Sequence, residues 1–142
     1  QQRVYEEAAR PAVHSILAGF NASIIAYGQT GAGKTYTMEG DPTSLRHAGI
    51  IPRAIADVFA HIEGNGEGSS LKRFLVRAAY LQIYNESICD LLKPERTGLA
   101  IREDKRRGVH VEFLSEWVAR SPAEVRDLLI RGAELRATAA TG

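Results

Sequence analysis

From Val4 to Leu17 the residues Val4, Tyr5, Ala8, Ala9, Ala12, Val13, Ile16 and Leu17 return every three or four positions, the spacing of one face of an amphipathic helix. Pro11 falls inside that run and should bend or split it, because it has no N–H and its ring crowds the preceding turn. Gly19 and Asn21 then stop the helix. Ala22 to Tyr27 is short and nearly all apolar, the pattern of a strand buried on both faces. A glycine loop follows, and Gly33 to Met38 can begin a second helix. After the polar interruption DPTSLRHAG, helical spacing resumes through Ile50, Ile51, Ile55, Val58, Phe59 and Ile62, with Pro52 in the first turn where its missing N–H costs little. The run EGNGEGSS, residues 63–70, reads as a surface connection.

Beyond it the period changes from that of a helix to that of a strand. Arg73 to Tyr84 alternates with apolar residues on both sides, which predicts one long central strand. NESICDLL reads as a turn and a short packed segment, with Cys89 as a small buried hydrophobe. LAIRE, GVHVEF and EWVA predict short strands around the polar tip DKRRG. Ser121-Pro122-Ala123-Glu124 is a capping box with proline at the first helical position, and Val125, Leu128, Leu129 and Ala133 form the apolar stripe of the helix it opens.

Composition narrows the function classes. The 142 residues have the length of one ordinary domain, and 44% apolar with 25% charged residues is typical of a soluble globular protein. Lys plus Arg number 18 and Asp plus Glu 17, so net charge supplies no attraction for nucleic acid or an acidic membrane. An anion site must therefore be local. The sequence has no bilayer-spanning apolar run and no signal-peptide pattern, and its single cysteine has no intrachain partner; together these point to a cytosolic compartment and no membrane insertion. The four histidines are scattered without metal-ligand spacing, and no nucleophilic triad stands out, so no catalytic residue is assigned.

The chemistry concentrates in GQTGAGKT, residues Gly28 to Thr35, which follows an apolar run and precedes a helical one. Backbone N–H groups can converge on a phosphate only where no side chain obstructs the approach, which explains Gly28, Gly31 and Gly33. The start of the following helix adds its positive end. Lys34 can reach the β- and γ-phosphates, and the Thr35 hydroxyl can complete a Mg²⁺ shell. Hydrolysis further needs an acidic group near Mg²⁺ and a residue that positions water. No apolar strand ending in Asp supplies the first: Asp57 lies on a helix and Asp90 after a packed segment. Lys105, Arg106 and Arg107 cluster at the hairpin tip beside Glu103 and Asp104, where spacing alone predicts a solvated turn.

FNASIIAYGQTGAGKTYTMEG resembles the strand, phosphate loop and helix of the kinesin motor domain, in wording far narrower than the generic loop pattern. VYEEAARPAVHSILAGFN, GIIPRAIADVF, AAYLQIYNESICDLL and the segment from Leu99 to Thr141 resemble successive parts of the same family, in order. The resemblance implies an α/β P-loop NTPase, a central mostly β sheet flanked by helices, with residues 1–142 as a partial motor domain running from the phosphate loop region to the helix before the first switch. It implies that Gly28, Gln29, Thr30, Gly31, Ala32, Gly33, Lys34 and Thr35 hold ATP and Mg²⁺, that Tyr36 lies near the adenine, and that Thr35 is the metal ligand.

By the same resemblance, Lys105, Arg106 and Arg107 belong to a loop that touches tubulin, and the parent protein is a cytoplasmic, microtubule-associated ATPase motor. Glu86, in the Tyr-Asn-Glu match, reads as structural and not catalytic. The two switches, the neck and any dimer-forming segments are expected outside these residues, as is the strand that contacts adenine. The competing readings are a microtubule-binding kinesin-like module without catalysis and another P-loop NTPase, such as a myosin-like motor.

Overall fold

The computed structural model describes residues 1–41, 44–64 and 73–139, so most of the glycine-serine run lies outside the described residues. The chain forms two compact units, Gln1–Phe74 and Leu75–Gly142.

In the first unit the opening helix is built in three pieces: α1 (Gln2–Val4), a π-helical turn (Tyr5–Ala9) and α2 (Arg10–Leu17). The break expected at Pro11 takes this form. Proline cannot donate to the carbonyl four residues back, and the wider turn just before it relieves the crowding. Tyr5, Ala9 and Val13 stay on one face through the π turn and are at most 3% exposed. They meet Ile50 of α4 (Ile50–Gly64), with Leu17, Ile24, Met38, Ala54 and Val58 packed around them. The Tyr5 hydroxyl donates to Asp57 Oδ2 at 2.7 Å, and Arg10 Nε lies 3.5 Å from the same oxygen. Burial, then the hydrogen bond to Asp57, pushes the Tyr5 hydroxyl above its ordinary pKa.

Ala22 to Tyr27 departs from expectation. These residues adopt no strand, and Ile25 and Tyr27 are 82% and 92% exposed. An apolar run becomes a buried strand only when neighbours complete its ladder on both edges, and none of the described residues pairs with it. The run leads instead directly into the glycine loop and α3 (Lys34–Met38).

Among the described residues the second unit holds three two-stranded antiparallel sheets. The expected long strand from Arg73 to Tyr84 is two strands, β1 (Val76–Ala78) and β2 (Leu81–Tyr84), because the run changes partner at Ala79 and Tyr80. β1 pairs with β6 (Trp117–Ala119), and β2 with β3 (Ser87–Asp90). The β2–β3 turn is Asn85-Glu86, both left-handed with φ 46° and 61°, which matches the twist of a tight hairpin. Asn tolerates that conformation and Glu does so under strain. Glu86 therefore has a backbone role. The packed segment predicted for NESICDLL is β3 with Leu91 and Leu92, the latter fully buried, whereas Cys89 is only half-buried.

Asp90, 1% exposed, is the carboxylate that closes this layer. Its Oδ1 accepts from the N–H groups of Leu92 and Lys93 at 2.9 and 3.1 Å, and its Oδ2 from Ser115 N–H at 2.8 Å. A buried carboxyl group is tolerated because these backbone donors replace water.

The predicted hairpin is β4 (Ile101–Asp104) and β5 (Gly108–Val111). Helix α5 (Pro122–Ala139) begins as the capping box requires: Ser121 Oγ accepts from Glu124 N–H at 3.2 Å. The reciprocal bond slips by one residue, with Glu124 Oε2 accepting from Arg120 N–H at 2.8 Å. Val125 is buried, and Leu128, Leu129 and Ala133 are half-buried beside it.

Gly132 interrupts α5 for a packing reason, since a Cβ there would lie 2.2 Å from Cδ1 of Tyr80. Helix propensity favours alanine at this position by about 1 kcal/mol, but the clash opposes it. Gly132→Ala should therefore destabilise the protein by roughly 1–3 kcal/mol in denaturant unfolding; a more stable variant would show that Tyr80 yields freely.

Candidate functional site

The phosphate-type loop is shaped by three glycines in the left-handed region. Gly28, Gly31 and Gly33 have φ of 147°, 84° and 88°, a backbone that other L-residues adopt only under strain. At Gly28 space is restricted as well: a Cβ there would lie 3.1 Å from the Cβ of Ala32. A short turn, Ala32 N–H to Gln29 O at 3.2 Å, folds Thr30 and Gly31 outward. Gly33 is the N-cap of α3, with no side chain capping it, so the first-turn N–H groups have no intrahelical partner.

Lys34 and Thr35 occupy the first two positions of that helix. The Lys34 ammonium donates to Gly28 O at 2.7 Å and Gln29 O at 2.8 Å, crossing the loop from its exit to its entrance. This closes the loop into a ring of backbone groups with one cation set across it. Gly28, Gln29, Thr30, Gly31, Ala32 and Thr35 are exposed, while Gly33 and Lys34 are half-buried. The structure thus gathers all the predicted loop residues at one accessible place. Tyr36 follows on α3 with its side chain about half exposed (51%), and its carbonyl accepts from the Gln1 amide.

The residues fit a bound polyphosphate. The three positive-φ positions are glycine, which leaves the loop backbone uncovered by side chains there, and the Lys34 ammonium lies across it. Among the described residues no cluster of three His, Cys, Asp or Glu could hold a metal by itself. A divalent cation here would instead rest on phosphate oxygens, water and the Thr35 hydroxyl, as Mg²⁺ commonly does.

The basic tip, in the other unit, is built by Asp104. Its Oδ1 accepts from Arg106 N–H at 2.8 Å and Arg107 N–H at 2.6 Å, which ties off a turn of Lys105, Arg106 and Arg107. Gly108, φ 66°, supplies the left-handed residue that returns the chain to β5. All three cationic residues are exposed. They differ in their partners. Arg107 Nη2 reaches Glu116 Oε1 at 3.5 Å, and Glu116 also holds Arg77 at 3.0 Å. Behind the tip, His110 Nδ1 lies 3.7 Å from Asp104 Oδ2 and 3.0 Å from Gly108 O. Asp104 and Glu116 are the residues that sequence reading passed over. The signal for Asp104 was present in DKRRG, because an Asp two and three residues before free N–H groups is a turn former.

The model of the kinesin motor domain family matches residues 1–142, the whole chain. The chain belongs to the kinesin motor domain family. It is 40% identical over 142 residues to kinesin-like protein KIF3C of Bos taurus, and 43% identical over 141 residues to the kinesin heavy chain of Strongylocentrotus purpuratus. Each alignment takes in 99% of this chain, which spans 17% and 13% of those two relatives. A solved structure of a fast kinesin, described with regard to ATPase mechanism and interactions with microtubules, superposes with a TM-score of 0.91 at 40% identity. It covers 100% of this chain and 40% of that one. The kinesin P-loop NTPase fold class expected from the sequence is therefore observed.

Electrostatics at the tip of this kinesin sequence give a pH prediction. The N–H groups of Arg107 and Arg106, with lesser help from His110, hold the Asp104 carboxyl below its ordinary pKa. A lowered value means that the stabilising contribution is complete above about pH 4 and is lost as pH falls through the lower folded-state value. The Asp104 carboxyl carbon, followed by NMR, should titrate below that of an unstructured Asp. A midpoint at or above the ordinary value would show that the two N–H bonds do not form in solution.

Proposed function

We propose that these residues are the phosphate-binding part of a motor domain that binds MgATP and, in the whole protein, couples its hydrolysis to movement along microtubules. The observation that carries this reading is the glycine ring of residues 28–35 with Lys34 set across it, in a chain of the kinesin motor domain family. The span of 1–142, matched throughout by that family model yet 40% of the solved kinesin neighbour, supports assigning these residues to part of a motor domain.

In this reading the loop's N–H groups surround the phosphates, apart from that of Ala32, which is held by Gln29 O. Lys34 would hold phosphate oxygens in place of its two carbonyl partners, and the Thr35 hydroxyl would hold Mg²⁺. When bound, the metal would supply neutralisation of the phosphate charge. Tyr36, half exposed one residue after the loop's end, is available to lie against the adenine ring. Hydrolysis is assigned to the whole motor domain: Asp90, which the sequence pattern did not place on a strand, does end β3, but its carboxyl oxygens are taken up by the N–H groups of Leu92, Lys93 and Ser115.

Lys105, Arg106 and Arg107 are assigned to the contact with tubulin, whose acidic surface suits an exposed cationic turn. A cytoplasmic, microtubule-associated location follows from that partner. Retention of both Lys34 and Thr35 favours an active nucleotide site over a microtubule-binding module that has lost catalysis.

Two substitutions in the whole motor test this. Lys34→Ala removes the counter-charge and the strut across the loop together, and should lower microtubule-stimulated ATP turnover by at least about 100-fold; normal turnover would count against the phosphate-site assignment. Replacing Lys105, Arg106 and Arg107 by alanine should weaken microtubule co-sedimentation more at low salt than at high salt, because exposed charges are screened within about 10 Å at 0.1 M. Equal binding at every ionic strength would return the cluster to a solvated turn.

A further inference from the structure

We propose that Asp104 is a positioning residue for microtubule binding: it fixes the hairpin turn so that Lys105 and Arg106 face a partner, while Arg107 is held back as a strut. The inference rests on the tubulin-contact reading of this tip and divides the work within it. Lys105 and Arg106 have no ion-pair partner among the described residues, whereas Arg107 is engaged by Glu116, itself anchored to Arg77. Arg77 lies in β1 and Glu116 immediately precedes its partner β6, so the strut ties the tip to a second sheet. The Asp104 carboxylate faces inward onto the N–H groups of Arg106 and Arg107 and not onto their guanidinium heads. It therefore leaves the cations of Lys105 and Arg106 available while restricting the conformations of the turn that carries them.

Charge and geometry predict opposite outcomes when this residue is changed. Asp104 is a negative charge beside three positive ones, so by charge alone its removal should tighten binding to an acidic surface. As a positioning residue, its removal should loosen binding, because the turn must then be ordered at the moment of contact.

The deciding experiment is co-sedimentation of the whole motor, and its variants, with microtubules polymerised from purified tubulin. Asp104→Ala, which removes the acceptor, should weaken affinity roughly three- to tenfold. Asp104→Asn, which keeps an acceptor oxygen and loses the charge, should bind as tightly as the parent or more so. An Asp104→Ala affinity equal to or tighter than that of Asp104→Asn overturns the proposal. Lys105→Ala with Arg106→Ala separates the two layers of the argument: unchanged affinity in that double variant defeats the tubulin-contact reading itself, whereas a loss there without a loss in Asp104→Ala defeats only the positioning role. Should Asp104→Ala not fold, amide hydrogen exchange in the unmodified protein decides the point. Protection of the Arg106 and Arg107 N–H groups is expected, and exchange at the rate of an open turn overturns the inference.

Discussion

The contact between the Lys34 ammonium and the carbonyls of Gly28 and Gln29 is the constraint on which the proposed phosphate site depends. It is a short-range bond between the first residue of a helix and the chain five and six residues earlier, and it forms only if the intervening backbone doubles back. Doubling back within so few residues requires left-handed backbone at Gly28, Gly31 and Gly33. Glycine alone takes that conformation without strain. The same geometry leaves the loop backbone exposed and sets a cation across it, so the device that shapes the loop also suits it to a polyanion.

A comparable economy appears in the second unit, where two aspartates serve as backbone anchors at different depths. Asp90, almost fully buried, gathers N–H groups from Leu92, Lys93 and Ser115 and fixes the segment after β3 against the start of the strand system that holds Trp117. Asp104, at the surface, does the same for the hairpin tip. In the first case the carboxylate compensates for lost water inside the protein. In the second it orders a turn whose cationic side chains stay in solvent.

Features set by local chemistry were legible in the sequence. The glycine ring, the hairpin around DKRRG and the start of α5 at Ser121-Pro122 all depend on residues within a few positions of one another. Features that depend on distant partners were not. Ala22 to Tyr27 has the composition of a buried strand, but a strand is defined by its neighbours, and Ile25 and Tyr27 remain exposed. Arg73 to Tyr84 has one continuous alternation, yet β1 and β2 serve different hairpins, because periodicity reports which side a residue faces and not which strand lies beside it. At Pro11 the break was legible and its form was not: a π turn keeps Tyr5, Ala9 and Val13 on one face where a sharp kink would have separated them.

The central claim is that the ring from Gly28 to Thr35 grips the metal-bound tail of an adenine nucleotide. Isothermal titration calorimetry of the whole motor with ATP, in the presence and absence of Mg²⁺, tests it most directly. Saturable one-to-one binding that tightens with Mg²⁺ is the predicted result. No heat of binding for ATP or ADP under either condition, from a protein shown to be folded, would contradict the account.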